Sequence, residues 1–451
     1  MLTRNKLVPI FLVFLLLQPV LDVLTNLLMN TFGINLSLGI IVRTLVMLVF
    51  MLFVLKEVFT NKDHSLMFHI AAITFLAAMQ LIVTLLFKEG ASLGSEITFL
   101  VKSVYPVVLI FALFYLMRSK EELHRLANVV MINGIVISAF ILVPTWLNFS
   151  FDSYDHGLKG SLGFYSSGNE ISAVLMFAYF FSVYTLFFRK GKQTILPFLS
   201  VFLITWSSFY VGTKVAIGAI LVIAILFALA IFIFRMKEVK KTNAAFLAVP
   251  FIFSLLFFNG VPAAENSQMA EEQQAARNQK YETPELFYAA DDVARISEVV
   301  RLREKVNPII TKIVSSRDIY AIETYEDYER AHVMRKLFGL GYAGDYYDDV
   351  DVKIIEMDFI DYIFSFGIVG TVYFLLVFVS FLVFTVKAVF STRGVTRGKI
   401  LYALFAFLLA MSVSLLAGHI WFAPAVSIYL AAMVIMLYRV TQLDTMVESN
   451  S

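Results

Sequence analysis

The chain has 451 residues, 59% hydrophobic and 16% charged, with a formal net charge of +2. Its mean hydropathy of +0.80 excludes a soluble fold, because a globule of this size could not hide that much apolar surface, and most of the chain needs a bilayer as solvent. With no cysteine there is no disulfide framework and no thiolate metal site, which suits a surface where a free thiol would be a liability.

Runs long enough to cross a bilayer, at about 20 residues each, fall near 7–29, 36–55, 66–87, 96–117, 126–148, 169–188, 195–211, 214–234, 244–259, 358–386, 400–418 and 420–438. These twelve runs predict an all-α integral membrane protein; the short seventh and ninth leave eleven or thirteen open. The first run is long, contains Gln18 and Asp22 and lacks a small-residue cleavage pattern, so it reads as a span rather than a leader. Basic residues fall on alternate connections: Lys56/Lys62, Arg118/Lys120/Arg125, Arg189/Lys190/Lys192, Arg235/Lys237/Lys240/Lys241 and Lys387/Arg393/Arg397/Lys399. The positive-inside rule then sets both termini in the cytoplasm of a multi-pass plasma-membrane protein.

This topology divides the chain into a bundle over 1–259, a large extracytoplasmic loop over 260–357, and a last group of spans with a short tail over 358–451. The loop has 98 residues, with 12 Lys/Arg against 19 Asp/Glu, a balance of −7; the remainder carries 24 against 15, or +9. An acidic loop is no footprint for nucleic acid or anionic lipid. Helical spacing of apolar residues predicts helices over Asp291–Lys305 and Ser316–Leu337, the second capped by Ser315 or Ser316. Asn266–Lys280 is polar all round, an exposed helix or a flexible stretch.

Asp22, Arg43, Lys102, Lys214, Asp358 and Asp361 lie inside the expected spans. A charge there costs on the order of a few kcal/mol unless paired or wetted. Asp22 could form a structural pair with Arg43 or Lys102. Alternatively, Arg43, Lys102 and Lys214 near the outer leaflet suit a phosphate-bearing lipid headgroup, whose oxygens accept charge-assisted hydrogen bonds. Other signals are weaker. Asp345, Asp348, Asp349 and Asp351 lack the glycine turn and distal glutamate of a calcium loop, and Asp155, His156 and His332 lack metal partners at a known spacing. His419, beside Trp421, could contact a sugar, as could Tyr342, Tyr346 and Tyr347.

Four elements occur in a fixed order around the loop: Ser161-Leu-Gly-Phe-Tyr-Ser-Ser-Gly-Asn169, Val211-Gly-Thr-Lys214, Ser316-Arg317-Asp318 before Gly339-Leu-Gly341, and Glu356-Met357 followed after nine residues by Gly367-Ile-Val-Gly370. Read alone, the last two glycines lie on one helix face and permit close helix packing. Together, over about residues 160–430 and including Gly418-His419, the set resembles the O-antigen ligase and Wzy-type polysaccharide polymerase superfamily. The resemblance implies a GT-C-like, inverting, metal- and cofactor-independent glycosyltransferase at the outer leaflet. It implies an undecaprenyl-diphosphate-linked saccharide as donor, a glycan acceptor, and a flippase and a chain-length regulator as candidate pathway partners.

Lys214 takes the place of the ligases' basic element at a span start, and Arg317 that of their loop arginine. Glu356 stands where ligases carry histidine, eleven residues before the first glycine of the Gly-x-x-Gly pair. The chemistry needs cations on the leaving phosphates and a base on the acceptor hydroxyl. Arg317 and Lys214, with Arg43 and Lys102, are the candidate diphosphate ligands. Glu356 is the candidate base, with Asp358 second, and His419, Asn169 and Tyr342 are candidate glycan contacts. A polymerase is the first reading, a ligase of finished glycans the second, and a flippase or other transporter the third.

Overall fold

The computed structural model describes residues 3–34, 37–153, 160–188, 195–233, 247–250, 317–344 and 354–449, with isolated positions between 252 and 314. The expected features at Asp155–His156, Asn266–Lys280, Asp291–Lys305, Ser315, Ser316 and the Tyr346–Asp351 acidic stretch lie outside them.

The described chain is almost entirely helical. The first run forms α1 (Arg4–Leu16) and α2 (Gln18–Asn26), bent by 45° and ending in a π-helical turn. Pro19 causes the bend, since its ring supplies no N–H to the carbonyl four residues back. That carbonyl, on Leu15, instead accepts from the Asn133 side chain at 2.7 Å, as a freed backbone group away from water must. Next come α3 (Leu38–Asn61), α4 (His64–Phe87), α5 (Leu93–Leu116) and α6 (Lys120–Trp146). Their starts are set by side chains that accept a backbone N–H: Ser37, Asp63, Ser92 and Ser119, the last within a capping box with Glu122.

After a short hairpin, β1 (Phe151–Asp152) and β2 (Ser161–Gly163), follow α7 (Gly168–Phe188), α8 (Ile195–Val211) and α9 (Lys214–Ile233). Every residue of α7 from Ile171 to Leu186 is buried, as expected of a helix that is hydrophobic all round. It forms the axis of the bundle, packed by α6, α8, α9 and the last helix. Paired hydroxyls tie this core together, Ser138 to Ser207 at 3.0 Å and Ser182 to Ser200 at 2.8 Å.

The remaining described helices are α10 (Arg317–Arg330) and α11 (Val333–Phe338), both within the segment 260–357, then α12 (Asp358–Ser391), α13 (Gly394–Leu416) and α14 (Pro424–Ser449). Eight of the described helices are long and apolar enough to cross a membrane, nine with the bent pair; α8 and the apolar part of α9 are shorter. The chain is a multi-pass membrane protein. Of the twelve runs, the one at 244–259 lies mostly outside the described residues.

Two local expectations change. The single helix expected over 316–337 is two, because His332 leaves the helical conformation and its ring caps α11 by accepting from the Met334 N–H at 3.3 Å. That ring also stacks on Phe87 with centroids 4.3 Å apart, so docking against α4 sets the break. Gly367 is not a helix-packing position either. It interrupts α12 at φ 64°, ψ −167°, which only glycine adopts readily. The carbonyls of Phe364 and Ser365, released there, accept from Leu340 N (2.8 Å) and Gly341 N (3.4 Å). A Cβ on Gly339 would lie 1.9 Å from the Ser365 carbonyl oxygen. The glycines thus let a loop, not a helix, lie against the break.

The same loop is anchored from its other side. Tyr342 donates its N–H to Glu96 (2.9 Å), and its carbonyl accepts from Lys88 (2.7 Å). Lys88 and Glu96 form a fully buried ion pair at 2.9 Å. Each buried charge therefore has a partner and a backbone group, the condition under which such a pair is tolerated.

Candidate active site

Two carboxylates in the first turn of α12 organise the end of the bundle where the loop joins it. Asp361 accepts from Ile355 N at 3.0 Å and Met357 N at 3.1 Å. It thereby clasps the backbone on both sides of Glu356, which sits in the left-handed region at φ 62°. Asp358, three residues earlier, accepts from Ser414 Oγ (2.8 Å), His419 N (3.1 Å), Ile420 N (2.9 Å) and Trp421 N (2.9 Å). It gathers the turn between α13 and α14, where His419 is also left-handed, at φ 61°. A non-glycine residue in that region costs about 1–2 kcal/mol, and here paired carboxylate contacts impose it twice.

The two strained turns press together. A Cβ on Gly418 would stand 2.3 Å from the Glu356 carbonyl oxygen. Consequently one oxygen of the Glu356 side chain, Oε2, faces both Arg317 Nη2 at 3.3 Å and His419 Nε2 at 3.5 Å. All three side chains are largely buried, Arg317 at 13%, His419 at 19% and Glu356 at 25% exposure. Arg317 Nε is buried with no acceptor among the described residues. Burial acts against protonation of His419, but the hydrogen bond to Glu356 and the charges of Glu170, Glu356 and Asp358 outweigh it and raise its pKa above the ordinary 6.5.

Beside this group lies a cavity of about 610 Å³, whose walls include Asp22, Arg43, Lys102, Glu170, Asp358 and His419. Asp22 and Arg43 form the ion pair that the sequence offered as one alternative, at 2.5 Å, and Gln18 accepts from Arg43 Nε at 2.8 Å. Lys102 faces the cavity with no hydrogen bond or ion pair among the described residues. Cations and carboxylates thus share one chamber at one end of the bundle. Among the described residues no group of three or more His, Asp or Glu could hold a metal ion.

The structure brings Arg43, Lys102, Asp358 and His419 to the cavity, and joins Glu356 and Arg317 to it through the His419 contact. It does not bring Lys214, which is exposed at the start of α9, nor Asn169 among the lining residues. Tyr342 lies in the aromatic group of Phe99, Phe366 and Phe422, of which Phe422 also lines the cavity. Sequence reasoning gave no role to Glu170, although an acid in the first turn of a span, next to Asn169, was a usable signal. It also passed over Asp361 as a clasp, since contacts to residues 355 and 357 depend on the chain folding back before the helix.

A family model described as O-antigen ligase like membrane protein matches residues 4–446. The chain belongs to that family. Its members are glycosyl-transferring membrane proteins that ligate or polymerise polysaccharide, so the resemblance seen over residues 160–430 extends across nearly the whole length. No curated protein and no solved structure matches. Within an O-antigen ligase-like protein, a chamber combining membrane-embedded cations with a carboxylate–histidine contact is the candidate site for sugar transfer.

Proposed function

We propose that this O-antigen ligase-like protein is a polysaccharide polymerase that transfers glycan from a lipid diphosphate to an acceptor hydroxyl at the outer leaflet, with undecaprenyl diphosphate as the carrier. The observation that carries the reading is the cavity lined by Arg43, Lys102, Asp358 and His419, with Glu356 in contact with that His419 and Arg317 in contact with Glu356. Arg317, whose buried Nε has no acceptor among the described residues, and Lys102 neutralise the diphosphate as charge develops on the leaving oxygen. Arg43 is committed to Gln18 and Asp22 and adds field rather than a direct contact. Glu356 takes the acceptor proton as general base. Asp358 accepts four hydrogen bonds and positions the site instead of reacting. The acceptor oxygen bonds to the anomeric carbon from the face opposite the diphosphate, that carbon's bond to the phosphate oxygen breaks, and the electron pair leaves with the diphosphate. Attack from that face inverts the anomeric centre.

A ligase would use the same donor chemistry and differ in acceptor. The deciding experiment is reconstitution of the full chain in liposomes with lipid-linked repeat units. Longer lipid-linked chains identify a polymerase. Glycan appearing only on a different acceptor identifies a ligase, and translocation without a new bond refutes both. Lys102→Ala is expected to lower turnover at least about tenfold, one charge-assisted contact to phosphate, and Lys214→Ala to lower it less than twofold. The opposite order would move the diphosphate to the start of α9.

A further inference from the structure

Two donors on different elements, Arg317 on α10 and His419 in the α13–α14 turn, converge on a single oxygen, Glu356 Oε2. An ordinary ion pair gives a guanidinium both carboxylate oxygens. Here one oxygen faces both the guanidinium and the imidazole at loose distances of 3.3 and 3.5 Å, next to a cavity open to further ligands. Convergence of a guanidinium and an imidazole on one oxygen is an arrangement that suits a phosphate oxygen, which accepts charge-assisted hydrogen bonds as a carboxylate does. A singly charged carboxylate holds that place less strongly than a diphosphate would.

We infer that Glu356 occupies the donor's phosphate position in the empty site, and that His419 is a diphosphate-binding residue released to the donor together with Arg317. The inference rests on the reading of the site as a lipid-diphosphate transferase. When the diphosphate enters, its oxygens take the two cations. The Glu356 carboxylate, no longer stabilised by them, becomes a stronger base facing the acceptor. Donor entry thus raises the basicity of Glu356. The acceptor hydroxyl proton then passes to Glu356 as the new carbon–oxygen bond forms and the diphosphate leaves with the bonding electrons. Backbone geometry supports the exchange, because Asp358 holds the His419 N–H and Asp361 holds the Ile355 and Met357 N–H groups on either side of Glu356, so both turns are fixed through the main chain and not through the Glu356 and His419 side chains. The charged groups around His419 are Glu356, Asp358, Glu170 and Asp361, the Arg317 guanidinium that shares Glu356 Oε2 with it and, lining the same cavity, Lys102 and the Asp22–Arg43 pair; the carboxylates favour its charged form and Arg317 opposes it.

The test is binding of undecaprenyl diphosphate to the full-length protein in nanodiscs, with a thermal-unfolding control for every variant. Glu356→Gln removes the competing charge and should bind about tenfold more tightly while making no polymer; Glu356→Asn, which tolerates a left-handed backbone, is the second neutral variant. His419→Asn should bind about tenfold more weakly, one charge-assisted contact, and lose the fall in affinity that the wild type shows as pH rises through the His419 pKa. Unchanged or weaker binding by both folded Glu356 variants overturns the placeholder, and unchanged binding by His419→Asn overturns its role. If the wild type itself fails to bind the diphosphate, the proposed function falls instead.

Discussion

Gly418→Ala probes the contact between the two strained turns. Gly418 has φ 61°, and its added Cβ would lie 2.3 Å from the Glu356 carbonyl oxygen, where ordinary contact begins near 3.4 Å. The turns must separate by 3.4 − 2.3 = 1.1 Å. Alanine in the left-handed region adds about 1 kcal/mol of its own. A shift of about 1 Å between catalytic groups lowers rates about 100-fold. The expected result is therefore a loss of polymer formation of about two orders of magnitude, with a small loss of stability. Gly218 in α9 meets nothing within 4 Å, so Gly218→Ala serves as control and should retain wild-type activity. The assay is initial rate of chain extension in liposomes at equal protein, with thermal unfolding measured in parallel. A folded Gly418→Ala protein working within threefold of wild type would refute the claim that these turns set the geometry.

Other perturbations follow from the same contacts. Asp358→Asn replaces an acceptor-only carboxylate, facing three N–H groups and a hydroxyl, by a group that must turn a donor toward donors. A cost of about 2 kcal/mol and loss of activity are expected from thermal unfolding and extension assays. Lys88→Met takes the ion-pair partner from the buried Glu96 carboxylate; removal of one partner of such a pair costs about 3–5 kcal/mol, and protease sensitivity near residues 339–344 should rise. The raised pKa of His419 means that its ion pair contributes stability fully below pH 6.5 and loses it as pH rises through the higher folded value. Melting temperature should therefore fall across that window in the wild type and not in His419→Asn.

Within this chain, hydropathy located the spans because a bilayer leaves the backbone few alternatives to continuous apolar helices. The boundaries of α3 to α7 lie close to the expected runs for that reason. The first span bends because of Pro19, visible in the sequence, but the Asn133 partner that makes the bend tolerable is over a hundred residues away. Gly367 illustrates the difference again. Its spacing from Gly370 suggests helix packing, and only the approach of the Gly339–Gly341 backbone reveals a broken helix receiving a loop.

The sequence by itself determined the family and the membrane character, and it offered Arg317, Glu356 and Asp358 among the candidate site residues, since these depend on composition, local spacing and motif order. The tertiary structure alone decided their company. His419 lies 63 positions from Glu356 in the chain, and no local pattern links them. They meet because Asp358 and Asp361, one helical turn apart, each bind a different segment's backbone amides. Lys214 moved the other way: its motif was suggestive, but its side chain is exposed at the start of α9 and is not among the cavity's lining residues. A side chain's chemistry is written locally, whereas its partners are fixed by contacts between distant segments.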